Sequence, residues 1–441
     1  MNDLVAARSQ MALSLGFHII FSCIGMAMPF FMAVSHYFWI KKGDLVYERI
    51  TRAWAKGVAI FFATGAVSGT VLSFELGMLW PEFMKHAGPI FGLPFSMEGA
   101  AFFIEAIAMG FYAYGWGRFN KWFHWFTGLV VGISGVASGI LVVSANAWMN
   151  SPSGFDYKEG VFSNIDPIKA MFNEAWFSQA LHMFLAAFAA TGFAVAGVHA
   201  YLVLKKKNTE LHAKAFTIAA SFGLIASMLQ PFSGDISARG AAKRQPAKLA
   251  AMEVHYKTQR NAPLVIGGIY DSKTQKLKGA IEVPDMLSFL AHHDFNAEVI
   301  GLDQFAPEDR PPVAILHYAF QIMVALGMLM LFVSLLFLLG KWKYKKWFSK
   351  RWLYLLYSII TPIGFLAVEA GWTVTEVGRQ PWIIYNVMRT ADAVNPIPGI
   401  QYSFYLFTLV YISLSCMVVF MLYRQIKSLN ANSVKYPINK L

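Results

Sequence analysis

Nine stretches of this chain are long and apolar enough to cross a bilayer as helices: roughly 14–39, 57–79, 97–115, 125–149, 175–204, 215–232, 313–339, 352–376 and 402–423. About 20 apolar residues suffice for one crossing. Charged residues are only 14% of the chain, where a soluble domain carries roughly 25%. A soluble fold of this size could not hide so much apolar surface. The expected fold class is therefore all-α, a polytopic membrane bundle of nine transmembrane helices. Disordered, collagen-like and disulfide-rich classes are excluded. Cys23 and Cys416 both sit in apolar runs, and the absence of a CxxC motif rules out covalent c-type haem attachment. The first stretch is too long for a signal-peptide core and ends in Lys41-Lys42, so it reads as retained.

The net charge of +12 reads as topology and not as a nucleic-acid footprint. The connections after the first, third, fifth and seventh stretches, with the C-terminal tail, hold 21 Lys and Arg; the opposite side holds six in its short segments. That bias predicts an outside N-terminus and a cytoplasmic C-terminus. The 231–312 segment then lies outside. Its ten basic and ten acidic residues balance, and at 82 residues it is too long for a mere connector. Three parts follow: the first six helices in 1–230, the outer loop 231–312, and the last three helices in 313–441.

An ionisable residue inside a span is costly and is a functional candidate by default. His18, Glu75, Glu98, Glu105, His182, His317, Glu369 and Glu376, with Met323, all fall in the outer half of their stretches. Bland readings stand beside the functional ones. His18 and His182 could be interhelical hydrogen-bonding residues, and Met323 is one of 21 methionines that pack readily. His36, His124, His199 and His212 sit at the cytoplasmic ends beside Lys or Arg and read as interfacial. Glu98 and Glu105 are harder to explain by packing. Seven residues is nearly two turns, so both carboxylates face one way, with Glu105 some 10 Å deeper. A proton relay accounts for such a pair.

Histidines on facing helices are how a bundle holds haem, and a His/Met pair suits a low-spin site. The paired histidines of a haem-copper oxidase are absent. Two rival classes are a transporter with a midplane site and the membrane-anchor cytochrome b of a quinone-linked dehydrogenase. The anchor would carry bis-His haem and no buried acid pair.

The run from Glu369 through Glu376 to Gly378-Arg379-Gln380-Pro381-Trp382 resembles subunit I of the cytochrome bd quinol oxidases. So do Met97-Glu98 to Glu105, Asn146 to Gly154, Lys248 to Glu253, and Gln321 to Gly327. The resemblance implies a low-spin haem b on His182 and Met323. It implies two high-spin haems, one haem b and one haem d, on His18 and Glu376. Glu98 and Glu105 match proton-handling acids, Lys248 and Glu253 match the quinol-site pair of the outer Q-loop, and Arg379 matches a basic residue near the haems. Gln321 departs from the arginine that the family often carries two residues before the ligand methionine. The outer loop resembles the family's shorter form.

The implied activity is oxidation of membrane quinol at the outer face and reduction of dioxygen to water, with charge separated across the bilayer without pumping. Lys248 and Glu253, five apart, are expected on roughly adjacent faces of a loop helix, where they could bind a quinol head and take its proton. Implied partners are a second membrane subunit and a small single-span one, in the bacterial cytoplasmic membrane, with no nucleic acid.

Overall fold

The computed structural model describes residues 2–158, 160–343 and 351–431. Lys345, Lys346, Lys350, Lys435 and Lys440, which contribute to the basic bias, lie outside the described residues.

Among the described residues nine helical segments are membrane-length. They are α1 (Asp3–Lys42), α2 (Leu45–Leu79), α3 (Pro81–Tyr114), α4 (Lys121–Asn150), α6 (Trp176–Leu204), α7 (Thr209–Arg244), α10 (Val313–Trp342), the broken pair α11 (Arg351–Ile359) and α12 (Ile363–Val377), and α14 (Ile400–Ala431). Short helices α5 (Pro167–Met171), α8 (Pro246–Met252), α9 (Met286–His292) and α13 (Thr390–Ala393) lie between them. The split between α11 and α12 falls at Pro362, which has no N–H to donate and crowds the preceding turn.

Most helices outrun their apolar stretches. α3 begins at Pro81, so Glu98 stands mid-helix and does not open it. α7 continues past the apolar run to Arg244, carried by alanines and by the Asp235–Arg239 pair one turn apart. The first part of the outer segment is thus a helical extension. The remainder carries pairings that alternation in the sequence did not announce. β3 (Gln259–Arg260) pairs with β8 (Glu298–Val299), β4 (Leu264–Ile266) with β7 (Ile281–Val283), and β5 (Ile269–Asp271) with β6 (Lys276–Lys278), all antiparallel. Similar hairpins join β1 (Asp156–Lys158) to β2 (Val161–Ser163), and β9 (Trp382–Ile384) to β10 (Met388–Arg389).

Two poles are defined by bonds between distant segments. At one, Asp3 accepts from the N–H groups of Gly399 and Ile400, Asn395 donates to the Leu79 carbonyl, and Tyr385 donates to the Met149 carbonyl. At the other, Lys214 pairs with Asp44 at 2.6 Å and Asn208 donates to the Leu429 carbonyl at 3.1 Å. The first pole carries the N-terminus and the hairpins, the second the runs Lys41-Lys42 and Lys205 to Lys207.

The largest apolar core sits toward the second pole and is built from Phe31, Trp54, Tyr112, Phe193, Phe216, Phe337 and Tyr357. Small residues let helices close on one another there. A Cβ on Gly192 would stand 2.7 Å from the Gly223 backbone nitrogen, so α6 and α7 meet backbone to backbone.

Candidate functional site

The site lies in the half of the bundle nearer the first pole. His18, midway along α1, has Nδ1 2.9 Å from the Ser68 hydroxyl on α2 and Nε2 2.9 Å from the Ser22 hydroxyl. The hydrogen-bonding role read for His18 is therefore present. Either hydroxyl can orient the ring while the other nitrogen binds iron, as partners of ligating histidines do. His182 on α6 is held likewise, its Nδ1 3.0 Å from Ser233 and its Nε2 3.2 Å from the Gln230 amide, both on α7. Met323 on α10 faces α12, where a Cβ on Gly371 would stand 3.1 Å from its sulfur.

Glycines back three of the four candidate ligands. A Cβ on Gly69 would stand 3.1 Å from the His18 ring, and one on Gly234 would stand 3.8 Å from the His182 ring. Each ligand keeps some accessible surface although its partners lie inside the bundle. A flat macrocycle would cover that surface. Among the described residues no three His, Cys, Asp or Glu side chains gather as a metal cluster. Such dispersed single donors suit haem iron, which takes only axial ligands from the chain.

Glu376, at the end of α12, accepts from Arg379 Nη2 at 2.5 Å and from the Asn146 amide. Asn150 donates to Asn146 Oδ1 at 3.1 Å, and Lys248 Nζ donates to Asn150 Oδ1 at 3.1 Å and Gln245 Oε1 at 2.9 Å. One polar chain thus runs from Glu376 through Asn146 and Asn150 to Lys248. Burial and the nearby Arg379 guanidinium pull the Lys248 amine down to about 7.

Lys248 and Glu253 make separate contacts. Lys248 lies against Gly378 and the Glu376 chain. Glu253, just past α8, faces the β4 hairpin and takes the Val265 N–H as a donor; burial raises its carboxyl to about 8. Its second oxygen is buried with no partner among the described residues. Five residues along a helix is about 500°, so the two side chains leave α8 in different directions.

Glu98 and Glu105 do face one way, toward α4. Ser138 donates to Glu98 Oε1 at 2.9 Å, and a Cβ on Gly135 would stand 3.4 Å from Glu105 Oε1. Glu105 is buried and Glu98 half-buried. Glu369 is a further acid in the bundle: one oxygen lies 3.2 Å from the Cβ position of Gly16 on α1, and the other is buried without a partner among the described residues.

Gln230, Ser233, Gly69 and Gly234 were not singled out from the sequence, and Asn146, Asn150 and Gly371 stood there only inside motifs, with no role assigned. Asn146 and Asn150 carried a usable signal, being two amides four apart in an apolar helix. The glycines carried none.

A bundle with isolated axial-type donors, buried acids and a folded outer segment defines a polytopic haem-type membrane redox protein. The chain belongs to the family described as cytochrome bd terminal oxidase subunit I, whose family model matches residues 6–430. It is 35% identical over 426 residues to a Bacillus subtilis (strain 168) protein described as a cytochrome bd menaquinol oxidase subunit I, covering 96% of each chain. It is 30% identical to the cytochrome bd ubiquinol oxidase subunit 1 of the same organism, over 97% of this chain and 94% of that one. The bd oxidase structure from Geobacillus thermodenitrificans superposes with a TM-score of 0.92 at 36% identity, covering 97% of this chain and 99% of that one.

Proposed function

We propose that this chain is the haem-bearing subunit of a quinol:oxygen oxidoreductase, and that the observation carrying the proposal is Glu376 held between Arg379 and Asn146 within a full-length family match. His182 and Met323 hold a low-spin haem b. His18 and Glu376 each hold a high-spin haem, one b and one d. Haems bound there would supply the electron transfer from quinol to dioxygen.

The chain's own residues bind, orient and move protons. Glu253 takes a quinol proton, since burial raises its carboxyl to about 8 and makes its carboxylate a stronger base than an ordinary one. Lys248 is on the other side of α8 and donates toward the quinol head or the Asn150 chain. Glu105 and then Glu98 form the last leg of proton delivery along the α3–α4 seam, with Ser138 bonded to the second acid. Serine hydroxyls on α1, α2 and α7 fix the two histidine rings. The pole with the hairpins is the outer face, on the Lys/Arg bias. A second membrane subunit and a small single-span one complete the assembly in a bacterial cytoplasmic membrane.

A dithionite-reduced visible spectrum of the purified complex tests this. A far-red chlorin band together with protohaem bands is expected. Protohaem bands alone would return the anchor-cytochrome reading, and no haem the transporter.

A further inference from the structure

Among the described residues β4 pairs with β7 alone, so one of its edges is open to side chains. In an antiparallel strand, alternate residues turn both N–H and C=O to the same side. Val265 and Gly267 turn theirs toward α10. There the Gln321 amide completes the ladder: its nitrogen donates to the Val265 carbonyl at 3.1 Å, and its oxygen accepts from the Gly267 N–H at 3.2 Å. The Val265 N–H on that edge is the donor to Glu253.

Neighbouring side chains of α10 reinforce the contact. Tyr318, one turn before Gln321, accepts from the Tyr270 N–H at 2.9 Å. His317 Nδ1 lies 2.7 Å from the Met252 carbonyl, the residue preceding Glu253. The outer segment is thus bonded to one turn of α10 on both sides of Glu253, and Met323 follows two residues after Gln321.

The edge needs a donor at one point and an acceptor at the next. Glutamine supplies both from one planar group, whereas arginine supplies donors only. Gly267 and Gly268 have φ of +68° and +95°, so the turn leaving β4 uses backbone conformations that favour glycine.

We propose that Gln321 is the positioning residue of the quinol site: its amide ties the β4 hairpin to α10 and sets where Glu253 stands relative to the helix that carries Met323. This role rests on reading Glu253 as the quinol base and Met323 as a haem ligand. It gives the glutamine that replaces the family's frequent arginine a task of its own.

The test uses Gln321→Met and Gln321→Glu in the intact oxidase. Three quantities are read: amide hydrogen exchange at Val265 and Gly267, the KM and kcat for quinol, and the low-spin absorbance. In Gln321→Met, exchange at Gly267, whose N–H loses its acceptor, rises about tenfold, exchange at Val265 rises with it as the hairpin loosens from α10, and KM rises about fivefold, the scale of lost hydrogen bonds. Saturated turnover and the low-spin absorbance stay near wild type. Gln321→Glu keeps the acceptor for Gly267, so exchange there stays slow and KM is partly restored. Unchanged exchange in Gln321→Met would remove the clamp, and faster exchange with unchanged KM would remove its positioning role. Normal quinol oxidation in Glu253→Gln would overturn the reading of Glu253, and with it this role, while the exchange result still reports on the clamp itself.

Discussion

Arg379 Nη2 stands 2.5 Å from Glu376 Oε2, and the two residues are three apart where α12 ends. Arg379 is 3% exposed, and its Nε and Nη1 are buried with no partner among the described residues. A buried guanidinium with idle donors beside a candidate ligand carboxylate is what a site for an anionic, iron-bearing group needs. It offsets the carboxylate and leaves donors for the group's own charges.

Replacing Arg379 with Met should therefore empty the Glu376 site and spare the His182–Met323 site. Breaking one side of a buried pair costs about 3–5 kcal/mol. Haem content by pyridine haemochrome should fall by the share of one high-spin haem, with the low-spin bands retained. Full haem content in this variant would show that Asn146 alone holds Glu376.

Gly371→Ala should disturb the low-spin haem without touching either ligand. The added methyl would stand 3.1 Å from the Met323 sulfur, so the thioether has to shift by some tenths of an ångström. Overpacking of this kind costs about 1–3 kcal/mol. Thioether ligation raises haem potential, so the low-spin midpoint should fall while the high-spin spectrum holds. An unchanged midpoint would mean that Met323 is a packing residue.

Gly192→Val probes the scaffold alone. Its side chain would meet the Gly223 nitrogen and α-carbon at 2.7 and 2.8 Å, where only backbone could yield. The expected result is lower thermal stability and loss of all haems together, by about 1–3 kcal/mol or more. Selective loss of one haem would be inconsistent with a purely structural crossing.

The nine crossings were legible because the bilayer demands about 20 apolar residues for each. Helix ends were not, since Pro81 to Ser96 and Ser233 to Arg244 are helical without being uniformly apolar. Of the site, His18, His182, Glu376 and the acid pair stood out as ionisable residues in apolar runs, whereas Met323 was set apart from packing methionines by the resemblance alone. The partnership of Lys248 with Asn150 spans 98 positions, and no local spacing reports a contact of that range. The roles of Gln321 and Gly371 were hidden for a related reason: each is defined by a neighbour on another element.

Quinol oxidation should show an acidic limb that belongs to Glu253. Burial raises its carboxyl from 4.5 to about 8, so below that pH it holds its proton and cannot accept another. kcat/KM for quinol should rise with pH through about 8 and then level. Glu253→Gln should lower the rate and flatten that limb. Stability has the opposite sign: the native state keeps the proton longer than the unfolded chain does. This contribution is complete below 4.5 and is lost as pH rises toward 8. A limb that survives in Glu253→Gln would assign it to another group.

Glu105→Gln should slow proton delivery while leaving the haems in place. Glu105 is buried on α3 against Gly135 of α4, and Glu98 lies two turns away on the same face with Ser138 as its partner. Glutamine keeps the size and the polar contacts but cannot pass a proton. Positioned proton transfer contributes about 10²–10⁴-fold, so turnover should drop by at least about 10²-fold. Haem spectra should be retained, because Glu105 is not one of the candidate ligands. Glu98→Gln should slow turnover too and also perturb the high-spin bands, since Glu98 lies nearer the pole where Glu376 stands. Membrane potential formed during residual turnover distinguishes the route: the Glu105 variant should lose charge separation in proportion to rate. Wild-type turnover with a normal membrane potential in Glu105→Gln would mean that protons reach the site along another seam.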